Sequence, residues 1–127
     1  MKTLENLLYT KDHEWLDKKN ESVAVGITDF AQSSLGDIVF VELPEVGSEF
    51  SQGDSFGVVE SIKSVSDLYA PITGKIIEIN EEIVDSPEKL NEGCYESWLV
   101  KITPSNTTEM SSLMNAEEYS KHCQSEQ

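Results

Sequence analysis

Arginine is missing from this chain. Its 127 residues carry nine lysines against 24 aspartates and glutamates, a formal net charge of −15. Gripping phosphate depends on Lys and Arg, so nucleic acid is not expected as a partner, and an anionic membrane surface is disfavoured on the same ground. The natural complement of such a surface is a basic patch on another protein. Solubility alone accounts for the acidity equally well. Cysteine is scarce too. Cys94 and Cys123 are too few for a disulfide framework and read as reduced thiols, with a single bridge as the alternative. Long apolar runs are absent, and nothing approaches the roughly 20 residues of a membrane-spanning helix. The first eleven residues hold only Leu4, Leu7 and Leu8 as large apolar side chains, which makes neither a signal peptide nor a transit peptide. A soluble, cytoplasmic protein is expected, with a mature mitochondrial form as the open alternative. No P-loop, dinucleotide fingerprint or nucleophile elbow occurs, so no catalytic signature stands out. His13 and His122 lie far apart in sequence and show no metal-ligand spacing, so no metal is expected.

What the chain does have is short β-forming runs between turn residues. Residues 14–17, 22–27, 37–43, 56–62, 75–80 and 98–102 are rich in Val, Ile, Phe and Trp. Pro44, Gly47, Gly53, Pro71, Gly74, Pro87, Gly93 and Pro104 punctuate them. That pattern predicts a mostly β sandwich or barrel. Two stretches read as helix. Asp29 to Gln32 gives a capping-box-like start, and Gly36 is placed to end the helix. In the tail, Met110, Leu113 and Met114 recur at helical spacing, and Asn115 with Glu118 makes a second cap pair ahead of Tyr119 and Cys123. The acidic stretch 78–96 reads as a solvated face.

One segment is singled out by its period-2 pattern. Phe56, Val58, Glu60 and Ile62 alternate up to Lys63, and residues 65–70 can return as a second strand. A turn there puts the Lys63 amine at an exposed hairpin tip. The turn chemistry is poor, because no Gly, Asn or Pro lies between Ile62 and Ser64.

Val59-Glu60-Ser61-Ile62-Lys63, followed by Ser66-Asp67 and Pro71, resembles the lipoyl-attachment segment of the glycine cleavage system H protein family. Further blocks are similar and in order: residues 9–15, 25–32, 35–44, 91–102 and the tail with Glu118-Tyr119. The resemblance covers roughly residues 7–123, and several ordered blocks are far more specific than one lysine motif. Two positions depart. Cys94-Tyr95-Glu96-Ser97-Trp98 lacks the family's proline and is one residue shorter, which implies a differently shaped loop. Ser34 stands where some members have histidine, so no arm contact through that histidine carries over.

The resemblance implies a lipoyl/biotinyl-carrier-like β sandwich (barrel-sandwich hybrid) with a short internal helix and a C-terminal helix. It implies one domain over residues 1–127, with a core at about 7–103 and a helical tail at about 108–123. It implies lipoic acid amide-linked to Lys63, with Glu60 and Ser61 as the context a lipoate ligase or lipoyltransferase recognises. Lysine stem and lipoyl chain together make an arm of roughly 14 Å. In the family's cycle the arm takes an aminomethyl group from glycine decarboxylase and presents it to a tetrahydrofolate-dependent aminomethyltransferase. Dihydrolipoyl dehydrogenase then reoxidises it. The carrier is expected to be a non-catalytic monomer. The loaded arm's cationic amine rests in a cleft whose matching positions are Glu14, Asp67 and Asp12, and carboxylates suit a cation. Asp12 replaces a serine found in some members.

Other swinging-arm modules fit less well. Biotin carriers favour methionine on both sides of the lysine, and lipoyl domains of 2-oxoacid dehydrogenases favour Asp-Lys-Ala. Two alternatives stay open: a donor that relays lipoyl groups to other lipoyl domains, and an interaction domain that is never modified.

Overall fold

The computed structural model of the protein describes residues 1–19 and 21–126. Among the described residues, nine strands form two antiparallel sheets. They are β1 (Leu8–Tyr9), β2 (Glu14–Lys19), β3 (Ser22–Ile27), β4 (Ile38–Glu42), β5 (Glu49–Phe50), β6 (Ser55–Ser61), β7 (Val65–Tyr69), β8 (Gly74–Ile79) and β9 (Val100–Pro104). The larger sheet has the order β1-β2-β3-β9-β8-β5, and the smaller is β4-β6-β7. The β-rich runs in the sequence all became strands, with ends shifted by a residue or two. Between the sheets lies the main core, to which Val25, Ile27, Ile38, Val41, Val59, Leu68, Ile76 and Ile102 contribute. Each such side chain, once fully buried, contributes roughly 1.5–3 kcal/mol, so this core needs no disulfide. Cys94 and Cys123 are indeed free, and both are buried.

Among the described residues, four α-helices decorate the sheets: α1 (Asp29–Leu35), α2 (Glu81–Asp85), α3 (Lys89–Glu92) and α4 (Ala116–Ser125). The cap of α1 is one residue earlier than the sequence suggested. Thr28, not Asp29, accepts the Ala31 N–H at 3.2 Å, and Asp29 instead takes the Lys2 N–H and the Gln32 side chain. Gly36 ends the helix with φ of 82° and ψ of −152°, a conformation open essentially only to glycine. The acidic stretch is not merely a solvated face. It folds into α2 and α3, each of which buries one apolar anchor, Ile83 and Leu90.

The tail is not one helix either. Residues Thr107–Ser112 form a 3-10 turn, and the chain then straightens. Met114 pairs with Tyr9 through two backbone hydrogen bonds, so the helical spacing is realised at Met110, within the 3-10 helix, and not at Leu113 and Met114. The second cap pair forms as expected. Asn115 accepts from Glu118 N–H at 2.9 Å, and the Glu118 carboxylate accepts from Asn115 N–H at 3.0 Å. Helix α4 packs on the outside of the large sheet, over a separate cluster of Leu7, Tyr9, Trp15, Ala24, Tyr119 and Cys123. Tyr9 and Tyr119 stack there with centroids 4.5 Å apart.

Candidate functional site

Lys63 sits in the three-residue connection between β6 and β7, and the residue before it, Ile62, is 72 % exposed. The turn works without Gly, Asn or Pro because Ser61 replaces them. The Ser61 side chain is buried, and its Oγ accepts the N–H of Lys63 at 3.3 Å and of Ser64 at 3.1 Å. The Ser61 N–H closes the loop on the Ser64 carbonyl at 2.8 Å. A serine hydroxyl that satisfies two successive turn amides is a known substitute for special backbone residues. The tip is also braced from the side. Ile62 N–H donates to the Asp37 carbonyl at 3.1 Å. Asn91 holds that segment on both flanks, accepting from Ile38 N–H at 2.9 Å and donating to the Gly36 carbonyl at 2.8 Å. The Lys63 side chain lies across Gly36, so a Cβ there would come within 3.3 Å of Lys63 Cε. Among the described residues Lys63 makes no ion pair. Glu60 precedes this turn on β6, half-buried, opposite Phe40 and Val65.

Glu14 is the opposite case. It opens β2, pairs with Ile27 and is only 2 % exposed. Thr10 Oγ1 accepts from the N–H groups of Asp12 and Glu14, at 3.2 and 3.1 Å. Its lone pairs are thus used, and its own hydrogen goes to Glu14 Oε1 at 2.6 Å. Glu14 Oε2 receives only a long 3.3 Å contact from Tyr69 N–H. Burial pushes the Glu14 carboxyl up to about 8, and the Asp12 charge adds to this, against the opposing pull of the Thr10 and Tyr69 donors. The carboxyl is therefore mostly neutral at pH 7.

Glu14 and Asp12 line a cleft of about 600 Å³, together with Thr10, Ala70, Leu113 and Met114. Its wall is built from five stretches of chain: the turn before β2, the turn at Gln52–Gly53, Ala70–Pro71 after β7, Ser112–Met114 in the tail, and His122 on α4. Asp67 is not among the lining residues. It is exposed on β7, opposite Val58, and accepts a long 3.4 Å contact from Ser55 Oγ. The structure therefore joins Asp12 to Glu14 and leaves Asp67 outside that cleft. Thr10 and His122, which also lines the cleft, were not marked as site residues from sequence. Thr10 lies four residues before Glu14, and no spacing rule for a non-helical segment signals such a pair.

The loop before Trp98 is well tied. Its Cys94 carbonyl accepts from Trp15 Nε1 at 3.1 Å, and Tyr95 OH donates to the Lys2 carbonyl at 2.6 Å.

The sequence profile described as "Glycine cleavage H-protein" matches residues 7–126. The chain belongs to the glycine cleavage H-protein family. A glycine cleavage system H protein of Alkaliphilus oremlandii is 50% identical over 126 residues, covering 99% of both chains. One from Staphylococcus saprophyticus is 55% identical over 115 residues, covering 90% of this chain and 91% of that relative. In three dimensions the chain is similar to the crystal structure of a glycine cleavage system H protein from Mycobacterium marinum. The TM-score is 0.86 and the identity 42%, over 94% of this chain and 97% of that one. The expected fold class is thereby met: the two-sheet sandwich is that of an H protein, a lipoyl-domain-like fold, with the C-terminal helix in place.

Proposed function

We propose that the chain is a non-catalytic carrier of the glycine cleavage system, bearing a lipoyl group as an amide on Lys63 Nζ. The observation that carries this proposal is the Lys63 turn: an exposed amine without an ion pair, on a tip whose backbone is fixed by Ser61, Asp37 and Asn91. A ligase can reach such an amine while the domain stays folded, and amidation breaks no ion pair among the described residues. Removing the lysine charge takes the formal net charge from −15 to about −16.

When attached, the lipoyl group would supply reversible disulfide–dithiol chemistry, being reduced as it takes up an aminomethyl group and reoxidised after that group has left. The chain itself supplies position and effective concentration. Its partners are glycine decarboxylase, the aminomethyltransferase, dihydrolipoyl dehydrogenase and the lipoylating enzyme, and its acidic surface complements basic patches on them. Asp67 lies four residues from Lys63 along the chain, at most about 13 Å of strand, within the reach of a roughly 14 Å arm. The Asp12–Glu14 cleft, which Ala70 just past the end of β7 also lines, offers apolar walls with a carboxyl that ionises when a cation arrives.

Intact mass and peptide mapping of protein from cells with lipoate and a competent ligase test this reading. One lipoyl group per chain is expected, on Lys63, and none in Lys63→Ala. Only the unmodified mass, or a lipoyl group on another lysine, overturns it. Support of glycine decarboxylation by the lipoylated chain then separates the carrier from a lipoyl donor.

A further inference from the structure

His13 and His122 are far apart in sequence, yet the fold brings them face to face with Glu126. Their rings lie 5.7 Å apart, and one potential ligand atom from each of the three residues falls within 4.8 Å of the others. We propose that His13, His122 and Glu126 form a binding site for one divalent transition-metal ion of the zinc type. None of the three residues takes part in the attachment at Lys63.

The donor set is the first support. Two imidazoles and one carboxylate are a recurrent zinc triad that leaves a fourth position for water. Tetrahedral zinc with bonds of about 2.1 Å needs ligand atoms about 3.4 Å apart. The His122 Nε2 to Glu126 Oε1 separation is already 3.5 Å. The His13 Nε2 to Glu126 Oε2 contact is a 2.6 Å hydrogen bond, and it opens by less than 1 Å when an ion replaces the shared proton. His122 in turn gives up its 3.1 Å contact with the Lys11 carbonyl. The three side chains are partly exposed, at 16, 27 and 39 %, so an ion can enter.

The supporting shell is the second. His13 sits at φ 68°, an uncommon conformation for a residue other than glycine. Its backbone is fixed there by His13 N–H to the Thr10 carbonyl at 3.2 Å and Thr28 N–H to the His13 carbonyl at 3.1 Å. The ring stacks on Phe30 at 4.4 Å. Its Nδ1 lies 2.7 Å from Tyr119 OH, which lies 2.6 Å from Thr28 Oγ1. With an ion on Nε2, Nδ1–H donates to Tyr119 and Tyr119 donates to Thr28. Such an outer hydrogen bond on the far ring nitrogen is what orients a metal-bound histidine. A surface of net charge −15 also concentrates cations.

The ion would staple the turn before β2 to α4. Because His122 lines the Glu14 cleft as well, the staple would fix one wall of that cleft.

The test uses the untagged, unlipoylated full chain, stripped with chelator and titrated with Co²⁺ and Zn²⁺. One Co²⁺ per chain with visible d–d absorption is expected, without thiolate charge-transfer bands, since Cys94 and Cys123 are buried outside the triad. His122→Ala and Glu126→Gln should each weaken binding by at least about tenfold, and Tyr119→Phe by about tenfold. Zn²⁺ should raise the Tm of the parent chain but not of His122→Ala. Melting of His122→Ala in chelator should match that of the parent, which shows that the variant folds. Absence of Co²⁺ absorption means the three residues are only an ion-pair cluster, and overturns the proposal. Undiminished binding by folded His122→Ala overturns it too.

Discussion

The Lys63 tip and the Glu14 cleft are built on opposite principles. Lys63 is exposed, makes no ion pair among the described residues, and is positioned entirely through its backbone, by Ser61 and the Asp37 segment. Glu14 is 2 % exposed and is positioned through its side chain, by Thr10 and Tyr69. The tip is local: one hairpin plus a brace. The cleft is assembled from five stretches distant in sequence. A group meant to be handed between enzymes needs a fixed base and a free end. A resting place for a cation needs a desolvated carboxyl that gains from its arrival. Charge at the tip therefore matters little to folding, whereas charge in the cleft is tied to it.

The largest expected effect follows from that link. Burial raises the Glu14 carboxyl from its ordinary 4.5 to about 8 in the folded chain. Between these values the folded state holds a proton that the unfolded state has lost. Glu14 therefore favours folding fully below about pH 4.5, and this contribution is lost as pH rises through about 8. Within that window stability falls by roughly 1 kcal/mol per pH unit from this group alone. Glu14→Gln keeps the shape and removes the titration. Its unfolding free energy, measured in urea between about pH 5 and pH 8, should fall less steeply than that of the parent. The amide also meets the Tyr69 N–H with a donor or gives up the Thr10 bond. That cost does not change with pH, so the slope is the readout and not the offset. Lys63→Ala should leave the slope unchanged. Equal slopes for the parent and Glu14→Gln would erase the contrast between tip and cleft.

The two regions were also unequally legible in the sequence. The strands on either side of Lys63 follow from period-2 alternation, and the fold class follows from many short β runs between Pro and Gly. The attachment site itself rested on resemblance, because pattern alone gave a hairpin with poor turn residues. What was missed there is that a buried serine hydroxyl can do the work of a turn glycine, which local propensity does not encode. The cleft was half legible. Glu14 and Asp12 meet in it, but Asp67 stands outside, and Thr10 and His122 join from positions with no sequence link to Glu14. The helical spacing at Met110, Leu113 and Met114 is realised only in part: Met110 lies in a 3-10 helix, and Met114 is then taken by backbone pairing with Tyr9, a tertiary contact that overrides the local pattern. The acidic side chains of 78–96 are exposed, as their pattern predicts, while Ile83 and Leu90 anchor the stretch to the core.

A smaller effect should sharpen the description of the tip. Ser61→Ala removes the acceptor for the Lys63 and Ser64 amides. These amides lie at an exposed turn, where water replaces most of what is lost. The cost should be about 1 kcal/mol in urea denaturation. The stronger consequence is for modification: a loosened tip presents Lys63 in many geometries, so the rate of lipoylation by a fixed amount of ligase should fall. If stability drops while that rate is unchanged, the preorganised tip is not what the ligase uses.

The smallest effect concerns Asp67, and it decides where the resting place for the arm begins. Asp67 is exposed and its one side-chain contact is long, so Asp67→Asn should change stability by no more than about 0.5 kcal/mol. Its removal should still shorten the lifetime of the aminomethyl-loaded chain, but by less than Glu14→Ala does. The reason is dielectric. A carboxylate in water attracts a cation at 4 Å by about 1 kcal/mol, while the same pair shielded from water is worth several times more. A release rate for Asp67→Asn equal to that of Glu14→Ala would place the cation between the two residues, not in the buried cleft. A rate equal to the parent's would confine the resting site to the cleft that Glu14 and Asp12 share.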